Sequence, residues 1–480
     1  MLAGLLLIAG LAMLLRTWAS LDDLWLDEVW QISAVRYLSW PVEVVTGHAD
    51  YGNHLLYAWL IPPLARLNPP DLLYRLPALL FTAASLPLLA LVVWQQSGGR
   101  IVAVRLALVL FGGSFFCVQY AGEVRGYSML LFFILLTLVA QWQLLDAPWR
   151  RGSIALLWLG ICLGSLAQIL YIPFGLAPIG LWVLYRLVTD PAVTDWRAIL
   201  RRLLLWYAAP GVFLLLLYWL VVSRVITAGA SESNWLVDLA RAYGVAFGNP
   251  TSMVHAVIAM VAVLLGLRVA MVMLWRRGMR QQALLYLLAV VVCPLATVLL
   301  VRPPFLPERY LLPAHLFWII ALAVAGGLAW AQPKRRALVV ALATAYMLLN
   351  GWSNYRLITV GRGDYTGALR YMVDQSPRPE IIVGGDNDFR NLSMIDYYRY
   401  TLPPATAVAY QSPVYWPADG VDWYLIHTLK TGVEVPDRIL DVNGNPFVLR
   451  RHYTHYGLSG WDWYLFQNER DAPTNASDTP

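Results

Sequence analysis

Charge is the scarcest commodity in this chain. Asp, Glu, Lys and Arg make up 13% of its 480 residues, where an ordinary soluble protein carries about 25%. Apolar residues reach 59%, and the mean hydropathy is +0.57. A soluble fold this apolar has too little polar surface to cover itself, so the bilayer is the solvent the composition calls for. Lysine is almost absent, with Lys334 and Lys430 alone beside many arginines. The cations behind the net charge of +6 lie in short loops between apolar runs and form no basic stripe interleaved with aromatics, which sets nucleic-acid binding aside. The three cysteines, Cys117, Cys162 and Cys293, show no CxxC or Cys/His spacing, so neither a disulfide framework nor a zinc site is indicated. They read as buried thiols in spanning helices. The Gly384-Gly385-Asp386 turn is no GxGxxG fingerprint, and no internal repeat is visible.

What the chain does have is long apolar runs. Leu2–Ala19 lacks a basic n-region and a small-residue cleavage site and reads as a retained helix. Further spans are predicted at Leu72–Trp94, Ile101–Val118, Tyr127–Leu145, Ile154–Leu170, Pro173–Leu187, Leu203–Val222, Met253–Trp275, Ala283–Val301, Tyr310–Trp330 and Ala337–Trp352. That makes about eleven transmembrane helices at roughly 20 residues each. The 22 Trp and 26 Tyr suit membrane–water interfaces. Alternate loops carry Arg100, Arg150–Arg151, Arg197 with Arg201–Arg202, Arg276–Arg277 with Arg280, and Lys334–Arg336. The positive-inside rule makes these cytoplasmic. The loop 20–71, the loop Arg224–Thr251 and everything after Trp352 are then outside, and a bacterial inner membrane is the expected location.

Two domains follow: a transmembrane domain over residues 1–353 and an extracytoplasmic α/β domain over 354–480. In the second, Tyr365–Asp374 and Asn391–Tyr400 read as amphipathic helices, and Ile381–Val383, Trp423–Ile426, Phe447–Leu449 and Trp463–Phe466 as short strands. The tail after Asp471 reads as disordered. His452 and His455 read as strand or turn surface residues, and Asp386 with Asp388 as turn chemistry rather than a calcium site.

The chemistry gathers on the outer side. Just after the first span, Trp25-Leu26-Asp27-Glu28-Val29-Trp30 sets two carboxylates between aromatics. Trp25, Val29, Ile32, Val35 and Leu38 follow a helical stripe, with Asp27, Glu28 and Gln31 off it; acids at a helix start also have the plain role of favouring the first turn. His48-Ala49-Asp50-Tyr51-Gly52-Asn53-His54 adds imidazoles and a third carboxylate. Tyr120-Ala121-Gly122-Glu123-Val124-Arg125-Gly126-Tyr127-Ser128 and Pro307-Glu308-Arg309-Tyr310-Leu311-Leu312-Pro313 each place an acid and an arginine beside a span. Ionisable groups at membrane depth are expensive and are functional suspects by default.

In these motifs the chain resembles the C-type (GT-C) membrane glycosyltransferases, nearest to the protein O-mannosyltransferase branch (family 39) and the bacterial lipid A aminoarabinose transferases. The family's early Asp-Glu pair is matched by Asp27-Glu28, and its Asp-x-His-Pro-Pro-Leu-Tyr segment loosely by Asp50 to Tyr57. Its Arg-Leu-Pro is matched by Arg75-Leu76-Pro77, its Tyr-x-Gln-Glu-Ala-Arg-x-Tyr-Ser by Tyr120 to Ser128, and its Arg-Tyr-x-x-Pro by Arg309 to Pro313. The double proline is missing at Asn53–Leu56, and Gly122 stands where Gln is common. The resemblance implies an inverting transfer of a sugar from a polyprenyl-phosphate donor to a lipid, polysaccharide or protein acceptor. Asp27 would be the general base, with Glu28 orienting the acceptor or, with Asp50, a divalent cation such as Mg or Mn. Arg125 and Arg309, then Arg75 and Arg302, would bind the donor phosphate; Asp50, His54, Glu123 and Tyr310 would contact substrate. Rival readings are a transporter or flippase of a lipid-linked sugar, which would show repeats and midplane charges, a non-catalytic scaffold, and an oligosaccharide ligase using a diphosphate-linked glycan.

Overall fold

The computed structural model describes residues 2–39, 43–44, 54–67, 69–190, 195–224, 234–302, 306–376, 378–403, 407–430 and 432–471. His48, Asp50 and the tail after Asp471 lie outside the described residues. By contacts the chain forms two compact units, Met1–Ser20 with Val35–Tyr355 and Leu21–Ala34 with Arg356–Pro480. The Asp27-Glu28 segment thus groups with the α/β domain and not with the 1–353 domain expected from sequence.

The first unit is a polytopic helical bundle. Among the described residues, helices long and apolar enough to cross a membrane are Asp71–Gln96, Tyr127–Asp146, Ile172–Thr189, Trp196–Leu220, Met253–Arg276, Arg280–Val301, Glu308–Trp330 and the one that starts at Pro333. Leu2–Trp18, Ile101–Gly113 and Arg151–Ala167 are apolar but shorter. All the expected spans are therefore helices, four of them clipped at one end by a few residues. Ile101–Gly113 stops at Ser114, whose hydroxyl caps a separate turn, Phe115–Gln119, by accepting from the Cys117 N–H.

Burial sorts these helices. Glu308–Trp330 is 89% buried over its most apolar window and Tyr127–Asp146 78%, against 17% for Trp196–Leu220 and 22% for Met253–Arg276. The first two are walled by protein and the last two face lipid, since a helix apolar all round needs one or the other. The turns that carry Arg125 and Arg309 lie at the amino-terminal ends of the two most enclosed helices.

The second unit holds a six-stranded mixed sheet in the order β2-β1-β3-β6-β5-β4, with β1 at Glu380–Gly385, β2 at Ala407–Tyr410, β3 at Trp423–Thr428, β4 at Arg438–Leu440, β5 at Pro446–Tyr453 and β6 at Asp462–Asn468. β1 runs parallel to β2 and β3; the β3–β6, β6–β5 and β5–β4 pairs are antiparallel. Every residue of β6 is buried, as expected of a strand paired on both edges and covered on both faces. Trp416, Val421, Phe447, Tyr464 and Phe466 form one core cluster. Elsewhere in the unit Tyr365 packs edge-on to Trp463 and Trp461 and stacks on Tyr398. Here one expectation fails: His455 is buried, not a surface residue. Its Nδ1 lies 2.6 Å from the Asp462 carboxylate, and its backbone N–H donates to the same oxygen at 2.8 Å. His452 stacks on Tyr464 and reaches the other oxygen of Asp462 at 3.0 Å.

Candidate functional site

In the second unit, the helix Leu26–Val35 begins with Asp27 and Glu28 in its first turn. Glu28 occupies the third helical position and reaches back to accept the Trp25 backbone N–H at 3.2 Å, which is one half of a capping box. It is fully buried, while Asp27 is half-buried. Of the predicted stripe, Trp25, Val29, Ile32 and Val35 are buried and Leu38 is half-buried; Gln31, expected off the stripe, is buried too. Nature thus gives the two carboxylates different environments: Glu28 starts the helix, and Asp27 keeps access to solvent.

Just upstream lies a second acidic pair that the sequence reading passed over. Asp22 accepts from the Arg362 backbone N–H at 3.0 Å and from its guanidinium at 2.9 Å. Asp23 accepts from the Thr366 N–H at 2.7 Å and from its hydroxyl at 3.2 Å. The Leu24 carbonyl accepts from the Tyr398 hydroxyl at 3.0 Å. Only the repetition of an acidic pair within a few residues hinted at this in the sequence.

In the first unit, the turns 120–128 and 307–313 come together with His54. The His54 ring is buried and meets Tyr127 edge-on at 5.0 Å; Tyr120 also lies 5.0 Å from Tyr127. His54 Nδ1 accepts from the Gly126 N–H at 3.1 Å. Gly126 has no room for a side chain: a Cβ there would lie 1.8 Å from the Ala167 carbonyl oxygen. Burial, then the Arg125 charge, push the His54 pKa well below its ordinary value, with Arg309 adding to the effect and a backbone hydrogen bond with Ala167 opposing it. His54 is a neutral ring committed to backbone partners. Tyr127 feels Arg309, Arg125, Tyr310 and Glu123, and Tyr120 feels Glu123, Arg309 and Glu308. Two guanidiniums, two carboxyl groups and three phenols thus share one neighbourhood, with Glu123 fully buried.

The other predicted residues have partners of their own. Arg75 is buried, and its guanidinium donates to the Ser20 carbonyl at 2.9 Å, a bond that ties the helix Asp71–Gln96 to the end of the first span. Arg302 is exposed and caps the helix ending at Val301 in a left-handed conformation, φ 49°. Tyr310 is half-buried against a cluster that includes Leu239, Leu306, Leu311 and Ala314, with Tyr243 beside it. Tyr243 also lines an apolar groove of about 510 Å³ walled by residues such as Trp235, Leu236, Met260, Leu264 and Leu295. Through Tyr243 the groove adjoins the cluster under Tyr310, next in sequence to Arg309. Among the described residues no group of three or more His, Cys, Asp or Glu side chains is placed to hold a metal; Asp50 is outside them.

No protein-family model matches the chain, and no curated protein matches it. Solved structures do. ArnT from Cupriavidus metallidurans in the apo state aligns with a TM-score of 0.52 at 17% identity, over 84% of this chain and 85% of ArnT. ArnT from the same organism bound to undecaprenyl phosphate aligns with a TM-score of 0.55 at 14% identity, over 98% of this chain and 99% of ArnT. At these identities the likeness is one of fold: the chain shares the fold of ArnT over nearly its whole length.

Proposed function

We propose that the chain is a glycosyltransferase that moves a sugar from a polyprenyl-phosphate donor to an acceptor hydroxyl at the outer face of a bacterial inner membrane, with inversion. The observation that carries the reading is that Arg125 and Arg309 both act electrostatically on Tyr127 and His54, near an apolar groove fit for prenyl units. That is the chemistry of a lipid with an anionic head. The ArnT fold, in a form that holds undecaprenyl phosphate, supports it.

In the reaction the acceptor oxygen forms a bond to the anomeric carbon as the bond from that carbon to the phosphate oxygen breaks. The electron pair leaves with polyprenyl phosphate, whose growing charge the planar guanidinium forks of Arg125 and Arg309 match. The acceptor proton passes to Asp27. Glu28 keeps Asp27 in place through the helix cap, Glu123 and Tyr310 contact the sugar or its carrier, and the α/β domain stands on the outer side.

The test is a transfer assay with defined undecaprenyl-phosphate sugars and the full chain in nanodiscs. Asp27→Asn keeps shape and hydrogen bonding but removes basicity, so turnover should fall roughly 100-fold or more at unchanged donor binding. Chelation followed by Mg²⁺ or Mn²⁺ in the same assay decides the divalent cation. If wild-type protein moves labelled donor lipid across the bilayer but transfers no sugar to any acceptor, the chain is a flippase. If Asp27→Asn turns over normally, the base is another residue.

A further inference from the structure

The segment that precedes Asp27 is held with more care than a loop needs. Arg362 is buried to the last few per cent, with a side chain 1% exposed against 14% for Asp22. It sits between Gly361 and Gly363, both with positive φ, 75° and 140°, so the backbone here adopts a path that a side chain would resist. That path turns both the Arg362 N–H and its guanidinium onto one carboxylate. Thr366 lies in the first turn of the helix Tyr365–Asp374, where Asp364 already caps the Gly367 N–H. Asp23 takes the Thr366 N–H, another of the donors that the helix leaves unpaired, and its charge suits the positive end of the helix. Tyr398 closes the set on the Leu24 carbonyl from the end of the helix Asp388–Tyr398. Each of three consecutive residues is therefore fixed by a different part of the α/β domain, and the next residue, Trp25, begins the capped helix that carries Asp27.

We propose that Asp22 and Asp23, with Arg362, Thr366 and Tyr398, form a clamp by which the α/β domain holds the Asp27 helix in its working position. On the transferase reading above, this makes Arg362 and Thr366 positioning residues of the reaction. Charge-assisted bonds of this kind are the stronger class, and small misplacements of a catalytic group are costly: a shift of about 1 Å costs on the order of 10²-fold.

The experiment pairs turnover with hydrogen–deuterium exchange of the full chain in nanodiscs. Arg362→Lys keeps the charge but loses the fork, and Thr366→Val and Tyr398→Phe each remove one hydroxyl. We expect faster exchange confined to residues 25–35 and kcat lowered roughly 10-fold in Arg362→Lys, less in the other two, with the KM for undecaprenyl-phosphate sugar within twofold. On an Asp27→Asn background the same changes should cost little more, because the clamp acts through Asp27. Unchanged exchange in residues 25–35 across a combined Arg362→Lys, Thr366→Val variant overturns the clamp. So does a loss that falls on donor KM rather than kcat. Normal turnover of Asp27→Asn would sink the transferase assignment of Asp27 instead, and the exchange data alone would then decide whether the clamp exists.

Discussion

The membrane unit and the α/β unit differ in how they bury charge. In the membrane unit, Arg16 is fully buried and gives its guanidinium to the Phe111 and Gly112 carbonyls, both at 2.7 Å, and to the Ala12 carbonyl at 3.0 Å. Arg75 does the same with Ser20, and His54 spends its ring on the Gly126 backbone. In the α/β unit, three carboxylates are met by cations or imidazoles, Asp22 by Arg362, Asp422 by Arg470 and Arg378, and Asp462 by His455 and His452, while the buried Glu28 and Asp441 accept backbone N–H groups. The physics accounts for the split. Helix ends in a bundle leave carbonyls without partners, and a buried cation at a helix carboxyl end satisfies them and the helix dipole together. A small sheet domain has few such ends and pairs more of its charges side chain to side chain. An arginine in the membrane unit is therefore a structural element until it is found beside acids and phenols, as Arg125 and Arg309 are.

Removing a member of the first class should have the largest effect. Arg16→Met keeps length and apolarity but strands the Phe111 and Gly112 carbonyls. At about 1–3 kcal/mol for each buried group left unsatisfied, the unit should lose about 2–6 kcal/mol of stability, read as a lower thermal unfolding midpoint in detergent. No loss would mean that the two carbonyls find other partners and that the backbone scheme is not what anchors the first span.

Arg125 and Arg309 sharpen the comparison from the other side. Replacing either with Lys keeps the charge and loses the bidentate fork, so turnover should fall roughly tenfold, with folding intact. Arg302→Lys, at an exposed helix cap, should stay within about twofold, as surface changes do. Equal loss at Arg302 and Arg309 in the transfer assay would remove the distinction between capping and phosphate-binding arginines.

This division also explains what could be read from sequence. Apolar runs declare themselves by length, so the bundle was legible almost helix by helix, and the alternating runs at 381–383, 423–426, 447–449 and 463–466 became β1, β3, β5 and β6. The sheet's outer strands, β2 at Ala407–Tyr410 and β4 at Arg438–Leu440, are too short to carry a pattern and were missed. Partner choice was illegible. Nothing local tells the clamped Asp22-Asp23 from Asp27-Glu28, because the Arg362 and Thr366 that decide it lie some 340 residues away. His455 was misplaced for the same reason: its partner Asp462 is close in sequence, but the turn that buries both is a tertiary event. Arg75 fell in a family-like motif, yet its bond to Ser20 has no sequence signal.

The smallest expected effect concerns the side-chain scheme of the α/β unit and its response to acid. Burial pushes the Asp462 carboxyl up, but hydrogen bonds from the His455 side chain and backbone and from His452 outweigh it and hold the pKa below the usual 3.8. The unfolded chain therefore binds this proton more readily than the folded one. The carboxylate's contribution to stability is present above about pH 4, and is lost as pH falls through the lower folded value. Pulse proteolysis from pH 7 to pH 3, read by mass spectrometry on peptides after Arg356, should show resistance that is flat near neutrality and drops below about pH 4. Asp462→Asn cannot titrate; it should be somewhat weaker at neutral pH and show a shallower acid drop. The membrane unit's peptides should not share the difference between the two proteins, since Asp462 has no part in their pairing. An Asp462→Asn protein with the wild-type acid slope would assign the drop to other carboxylates, with Asp422 and its two arginines the next to vary.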